Sequence, residues 1–309
     1  MEIKSLGELL ERGCSLKEKR VMAVPAAEGE HVIGCAYEAK KRGLADSILI
    51  GDEAEIRRIM GELQIPADTF RIEKTSGHEE SAIRAVQLIN EGAANFILKG
   101  MLSTTDILRQ VVKKENNLRT GRTMSHFAMY EMPEYHKLLC VTDGGMVNPQ
   151  DLQKKTDITY NACETLRKLG YEMPKVALLC CKEEVDPHMP ETMEAREIRD
   201  MAREGKLGSC FVEGPISYDI AMSKRVAETK KFDCPYSGDF DILVAPQIHA
   251  GNILGKCLSI SCHAKVTAII VGAKVPIVAS SRASTTEAKL TSIAIAALVA
   301  VADDQKGDC

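Results

Sequence analysis

Two serines and an arginine close a short apolar run, Pro276-Ile277-Val278-Ala279-Ser280-Ser281-Arg282, near the end of this 309-residue chain. The run reads as a strand, with a helix expected to start at Ser284 or Thr285. That layout sets a hydroxyl, a guanidinium and a helix N-terminus at the carboxyl end of a strand, where α/β proteins bind small anions. A second corner of the same kind is Lys99-Gly100-Met101-Leu102-Ser103-Thr104-Thr105-Asp106, after the apolar Phe96-Ile97-Leu98. Its lysine and free helical N–H groups suit an anion, although plain N-capping by Ser103 or Thr104 accounts for the same residues. In the third, Asp143-Gly144-Gly145-Met146-Val147-Asn148-Pro149, an acid ends a strand and two glycines let backbone approach closely; such residues are also ordinary turn formers.

Other chemistries lack their residues. No G-x-S-x-G elbow, no G-x-G-x-x-G after the first strand and no Walker lysine loop occur, so serine hydrolysis, dinucleotide binding and P-loop chemistry are not indicated. Lys plus Arg total 40 against 44 for Asp plus Glu, and Trp is absent, which argues against a nucleic-acid partner. The eleven cysteines show no disulfide spacing and read as reduced thiols of a cytoplasmic protein. Cys257, Cys262 and His263 fit no zinc pattern and read as buried apolar thiols with no metal. The apolar run Ile293 to Ala302 is too short for a bilayer and reads as a buried terminal helix, so no membrane partner is expected.

The elements that must position these corners alternate. Apolar runs at 21–26, 47–51, 95–98, 138–142, 176–180, 210–214, 241–245, 266–271 and 276–279 read as strands. Segments with apolar residues three and four apart lie between most of them, including 28–42, 79–91, 151–169, 191–205, 218–229 and 253–262. Alternation of this kind predicts an α/β protein of parallel sheets covered on both faces, in two domains for this length. The glycine-rich turn marks one boundary; the domains are expected at 1–138 with 281–309, and at 139–280.

In order and spacing, these stretches resemble the phosphate acetyltransferase and phosphate butyryltransferase family, most closely the butyryltransferase branch. The likeness is carried by Lys99-Gly100 with Thr105, Leu118-Arg-Thr-Gly-Arg-Thr-Met-Ser-His126, the Asp143–Pro149 turn, Gly214-Pro215 with Asp219-Ile220-Ala221, Ala250-Gly251-Asn252, and Ser281-Arg282-Ala283 with Glu287 and Lys289. It implies two doubly wound α/β/α domains with an interdomain cleft, an architecture like that of isocitrate and isopropylmalate dehydrogenases, the second domain inserted into the first. It also implies exchange of a short acyl group, butyryl favoured, between CoA and inorganic phosphate. The resemblance further implies that no cofactor or metal is required and that CoA is a substrate or product, and a homo-oligomer is expected.

By the same resemblance, Arg282 holds phosphate and developing charge, Ser281 donates to the oxyanion, and Glu287 is the candidate base. Lys99, Thr104 and Thr105 hold the phosphoryl group or the CoA pyrophosphate. Ser125, Asp143, Asn148, Asn252 and Lys256 complete the phosphate- and CoA-binding set, while His126 and His249 match no catalytic histidine of the family. Three positions depart from the pattern. Ala288 stands where acetyl-specific relatives carry an aspartate, Gly255 where a Gly-Asn-x-x-Tyr-Lys run has tyrosine, and Ser284 where the butyryl branch has aspartate. Ser284-x-x-Glu287 is also a capping-box pattern. Two other readings stand beside the enzyme: a non-catalytic acyl-CoA-binding relative, and a dehydrogenase of related fold.

Overall fold

The alternation folds into two compact units, one of 6–121 with 267–309 and one of 1–5 with 122–266. The computed structural model describes residues 2–279 and 285–307, with side chains to residue 300. The first unit opens with α1 (Leu6–Cys14), β1 (Arg20–Pro25), α2 (Glu30–Lys41), β2 (Ala45–Gly51) and α3 (Glu53–Glu62). It continues with β3 (Arg71–Lys74), α4 (His78–Asn90), β4 (Phe96–Leu98) and α5 (Thr104–Val111). β1 pairs in parallel with both β2 and β4. Met22, Ala23 and Val24 of β1 and Ile48, Leu49 and Ile50 of β2 are buried, as strands covered on both faces require.

The second unit holds β5 (Ser125–Glu131), β6 (Leu139–Thr142), α6 (Leu152–Lys168), β7 (Lys175–Leu179) and α7 (Pro190–Arg203). Then follow β8 (Phe211–Ile216), α8 (Tyr218–Met222), α9 (Lys224–Lys230), β9 (Ile242–Val244) and α10 (Ile248–Ile260). Its strands run in the order β5-β6-β9-β7-β8, parallel except for β5 against β6. α6 packs on β5, β6 and β9 and against α7, and α10 packs on β6. Residues 2–5 belong here because Tyr171 Oη donates to the Ile3 carbonyl at 2.8 Å. β10 (Lys265–Val271), β11 (Ile277–Val278) and α11 (Thr286–Gly307) return the chain to the first unit, where β11 pairs in parallel with β4. Leu290, Ile293 and Ala294 to Ala297 of α11 are buried. Among the described residues no helix is long and apolar enough to cross a membrane.

The structure differs from the sequence expectation in four places. The units divide near 122 and 266, not at 138/139 and 280/281, because β5 hydrogen-bonds β6 and because β11 and most of β10 join the first unit. The single helix expected over 218–229 is two, broken at Ser223, whose extended backbone (φ −143°) and side-chain acceptance from Val226 N start α9 afresh. α10 begins at Ile248, so Gly251 and Asn252 lie inside it. Cys257 and Cys262 are exposed, not buried.

The amino ends of β6, β7 and β9 are locked by charge. Lys137, 5% exposed, donates to Asp241 Oδ1 at 2.7 Å and to the Asp239 carbonyl at 2.7 Å. Lys175 binds Asp239 Oδ2 at 2.6 Å, and its N–H donates to Asp241 Oδ2 at 2.8 Å. Burial would raise the Asp239 carboxyl, but hydrogen bonds from Lys175, Lys137 and His136 outweigh it and hold the group well below the usual carboxylate range. Burial pushes Asp241 up, against the pull of Lys137. Lys137→Met therefore strands a buried carboxylate and is expected to cost about 3–5 kcal/mol in urea unfolding at pH 7.5. Native Asp241 then binds a proton before the unfolded chain does, so the penalty shrinks as pH falls toward its raised pKa. A penalty equal at pH 7.5 and pH 5 contradicts this account.

Candidate functional site

In the first unit the loop after β4 is shaped by Gly100. A Cβ there would lie 2.2 Å from the Ala26 carbonyl oxygen and 2.4 Å from that of Pro25, so only glycine lets the loop rest on the end of β1. Met101 N seals the contact with a 2.7 Å bond to Ala26 O. Lys99 Nζ turns back on its own loop, donating to the carbonyls of Gly100 and Leu102 at 3.1 Å each. Ser103 is the N-cap of α5, with a reciprocal capping box to Asp106. The capping reading thus accounts for Ser103 and Asp106. Thr104 and Thr105 become the first helical residues, and among the described residues neither hydroxyl has a protein hydrogen-bond partner. Their N–H groups open the helix, where intrahelical acceptors are missing.

Glu287 lies in the first turn of α11. Its helix is capped by Thr285, whose Oγ1 accepts from Ala288 N at 3.2 Å, so the cap sits one residue beyond Ser284. The Glu287 carboxylate, largely exposed, meets Arg42 beyond the end of α2 at 3.5 Å. Ser281 and Arg282, with Ser284, lie outside the described residues. One carboxylate that sequence reading passed over stands at the carboxyl ends of β1 and β2. Glu28 Oε1 accepts from Asp52 N at 2.6 Å, while its Oε2 is buried without a partner in the described structure. Only the tertiary approach of Gly51, where a Cβ would meet Glu28 Oε1 at 2.1 Å, reveals it.

In the second unit the turn after β6 is built around the fully buried Asp143. Its Oδ2 accepts from His126 N at 2.7 Å, and its Oδ1 from Gly145 N and Met146 N at 2.8 Å each. Three N–H donors on one carboxylate fix the path of the turn. Gly144 then lies against Gly251 of α10. A Cβ on Gly144 would meet Gly251 O at 2.7 Å, and one on Gly251 would meet Asp143 O at 2.7 Å. Asn252 Nδ2 completes the junction, donating to Gly144 O at 2.8 Å. The glycine at 251 is thus required by close packing inside a helix that begins before the expected 253.

Between β5, β6 and α10 lies a cavity of about 330 Å³. His126 and Tyr130 enter it from β5, Val141 from β6, and Asn252 and Lys256 from α10. Lys256 and Asn252 are exposed at its edge. Burial pushes the His126 imidazole below its ordinary pKa, opposed by the Asp143 charge, so the ring is neutral at neutral pH. Burial raises the Tyr130 phenol to about 12, so it stays protonated.

Alternation along β5 decides where Ser125 goes. Even-numbered His126 and Tyr130 face α10, whereas Ser125 faces α6, where Asn161 Nδ2 donates to its Oγ at 3.1 Å. Ser125 is fully buried there. Ser125 thus packs against α6 and Asp143 anchors the turn, which gives each a structural role beside its expected one in ligand binding. Asn148 is exposed after the turn. The second unit thus gathers Asp143, Asn252 and Lys256 with His126, while the first gathers Lys99, Thr104 and Thr105.

The family model described as phosphate acetyl/butaryl transferase matches residues 69–297. The chain is 38% identical to a phosphate butyryltransferase of Clostridium acetobutylicum, over 96% of this chain and 99% of the relative. It is 36% identical to a phosphate acetyltransferase of Thermotoga maritima, over 90% of this chain and 95% of that one. The crystal structure of a branched-chain phosphotransacylase from Enterococcus faecalis superposes with a TM-score of 0.77 at 32% identity, covering 90% of this chain and 99% of that one. With a family match over most of its length and relatives of equal extent, the chain belongs to the phosphate acetyl/butyryl transferase family.

Proposed function

We propose that this protein moves a short acyl group, butyryl in first place, between coenzyme A and inorganic phosphate: acyl-CoA plus phosphate gives acyl phosphate plus CoA. The observation that carries this reading is the end-to-end likeness to the phosphate butyryltransferase of Clostridium acetobutylicum. The reaction needs charge held in place. Phosphate oxygen attacks the thioester carbonyl, a tetrahedral oxyanion forms, and the C–S bond breaks to release the thiolate. We assign the phosphate and the developing charge to Arg282 and the oxyanion to Ser281. The hydroxyls of Thr104 and Thr105, without a protein partner among the described residues, and the N–H groups that open their helix suit a phosphoryl group, with Lys99 ordering their loop. Asn148, Asn252 and Lys256, exposed on the second unit, are assigned to the anionic CoA substrate.

Glu287 is retained as the candidate base, and its pairing with Arg42 gives it a competing structural role. The protein is proposed to act in the cytoplasm as a homo-oligomer, in short-chain fatty acid metabolism, without metal or organic cofactor. The free thiols of the described cysteines agree with a reducing compartment.

Free CoA thiol should appear from butyryl-CoA only when phosphate is supplied. No release from acetyl-, propionyl-, butyryl- or branched acyl-CoA would sink the enzyme reading, and CoA binding without turnover would leave the acyl-CoA-binding reading. Arg282→Ala is expected to lower turnover about 10²-fold or more with the melting temperature unchanged; survival of activity would remove Arg282 from the site. Asp143→Ala is expected to cost about 3 kcal/mol or more of stability, since three backbone donors lose their acceptor. An unchanged melting curve with a raised KM for phosphate would instead make Asp143 a ligand.

A further inference from the structure

The cavity of the second unit has the polarity order of an acyl thioester. Its walls include the Tyr130 ring and Val141, both buried, and its exposed edge carries Asn252, Lys256 and Ile260. An alkyl chain fits the first set, and a polar thioester followed by an anionic tail fits the second. At ~30 Å³ per small heavy group, a four-carbon chain takes up ~120 Å³. A cavity of about 330 Å³ holds that chain with the thioester and the start of the pantetheine arm.

One contact sets its width. Tyr130 is 6% exposed, and its hydroxyl has no protein hydrogen-bond partner among the described residues. It stands where a side chain on Gly255 would begin, since a Cβ there would lie 2.4 Å from Tyr130 Oη. The next nearest atom, Tyr130 Cζ, is at 3.4 Å, an ordinary contact. The ring therefore keeps its place only because position 255 is empty. Any side chain at 255 drives the ring end into the cavity.

Resting on the acyltransferase reading above, we propose that this cavity holds the acyl chain of the substrate and that the Tyr130–Gly255 contact sets the chain length it accepts. Tyr130 and Gly255 act as a pair of walls whose summed volume is fixed. A methyl group on α10 takes space from the acyl chain unless the phenol oxygen is removed.

The test compares kcat/KM for butyryl-CoA with that for acetyl-CoA. Gly255→Ala is expected to lower the butyryl-to-acetyl ratio about tenfold, the effect of a lost methylene-sized space. Tyr130→Phe combined with Gly255→Ala is expected to restore the ratio, because the 2.4 Å conflict is with the oxygen alone. General destabilisation would lower both substrates together, leaving the ratio unchanged, and that result overturns the proposal. If Gly255→Ala does not fold, Tyr130→Leu decides: its added space should raise hexanoyl-CoA relative to butyryl-CoA, and an unchanged ratio again overturns the assignment. Should the wild-type protein turn over no acyl-CoA, the acyltransferase reading fails, and calorimetry judges the cavity by itself. Butyryl-CoA binding more tightly than CoA, with the advantage lost in Gly255→Ala, keeps the pocket; equal affinities in the wild type remove it.

Discussion

Three backbone N–H groups converging on the buried Asp143 carboxylate hold the second unit's functional wall together. The carboxylate is shut away from water, and its charge is balanced by amide dipoles and not by a cation. His126, at the start of β5, and Gly145 and Met146, beyond β6, are tied to one point. Because the turn is fixed, Gly144 can lie flat on α10, and because α10 is fixed, the cavity has a roof. Removing the carboxylate would loosen strand, turn and helix at once. Asp143 thus acts through the elements it orders.

Polar groups of the second unit fall into two sets. At the amino ends of β6, β7 and β9, Lys137, Lys175, Asp239 and Asp241 satisfy one another in a compact ion cluster. On β5 and α10, the His126 ring, the Tyr130 hydroxyl and Lys256 face a cavity, with Tyr130 paired to Leu139 at the start of β6. The first set spends its charges on holding strands in register. The second set faces a concave space, which suits a ligand.

The strands and most helices were legible because buried parallel strands form continuous apolar runs and the helices between them repeat every three to four residues. Ser103 was legible as a cap from its spacing to Asp106. Asp143-Gly144-Gly145 was legible as a close backbone approach, though not what it approached. The start of α10 was misread, because Gly251 and Asn252 are turn formers locally, and only the Asp143 carbonyl pressing on Gly251 explains a glycine within a helix. Ser125 was singled out by the family resemblance, and the period of β5 turns it to the α6 face. Tyr130 went unnoticed since its meaning depends on Gly255, far away in sequence. Ser281 and Arg282, the first residues that the sequence pointed to, lie outside the described residues.

The ring missing at position 255 has a counterpart across the cavity, supplied by the sheet. Two positions that occupy one volume cannot drift independently. A lineage that gains a bulky residue on α10 must first, or at once, give up bulk on β5. Either change made alone passes through an intermediate with a clash or a void. Gly255 and Tyr130 are therefore coupled in space, and the identity of one constrains which substitutions the other can accept.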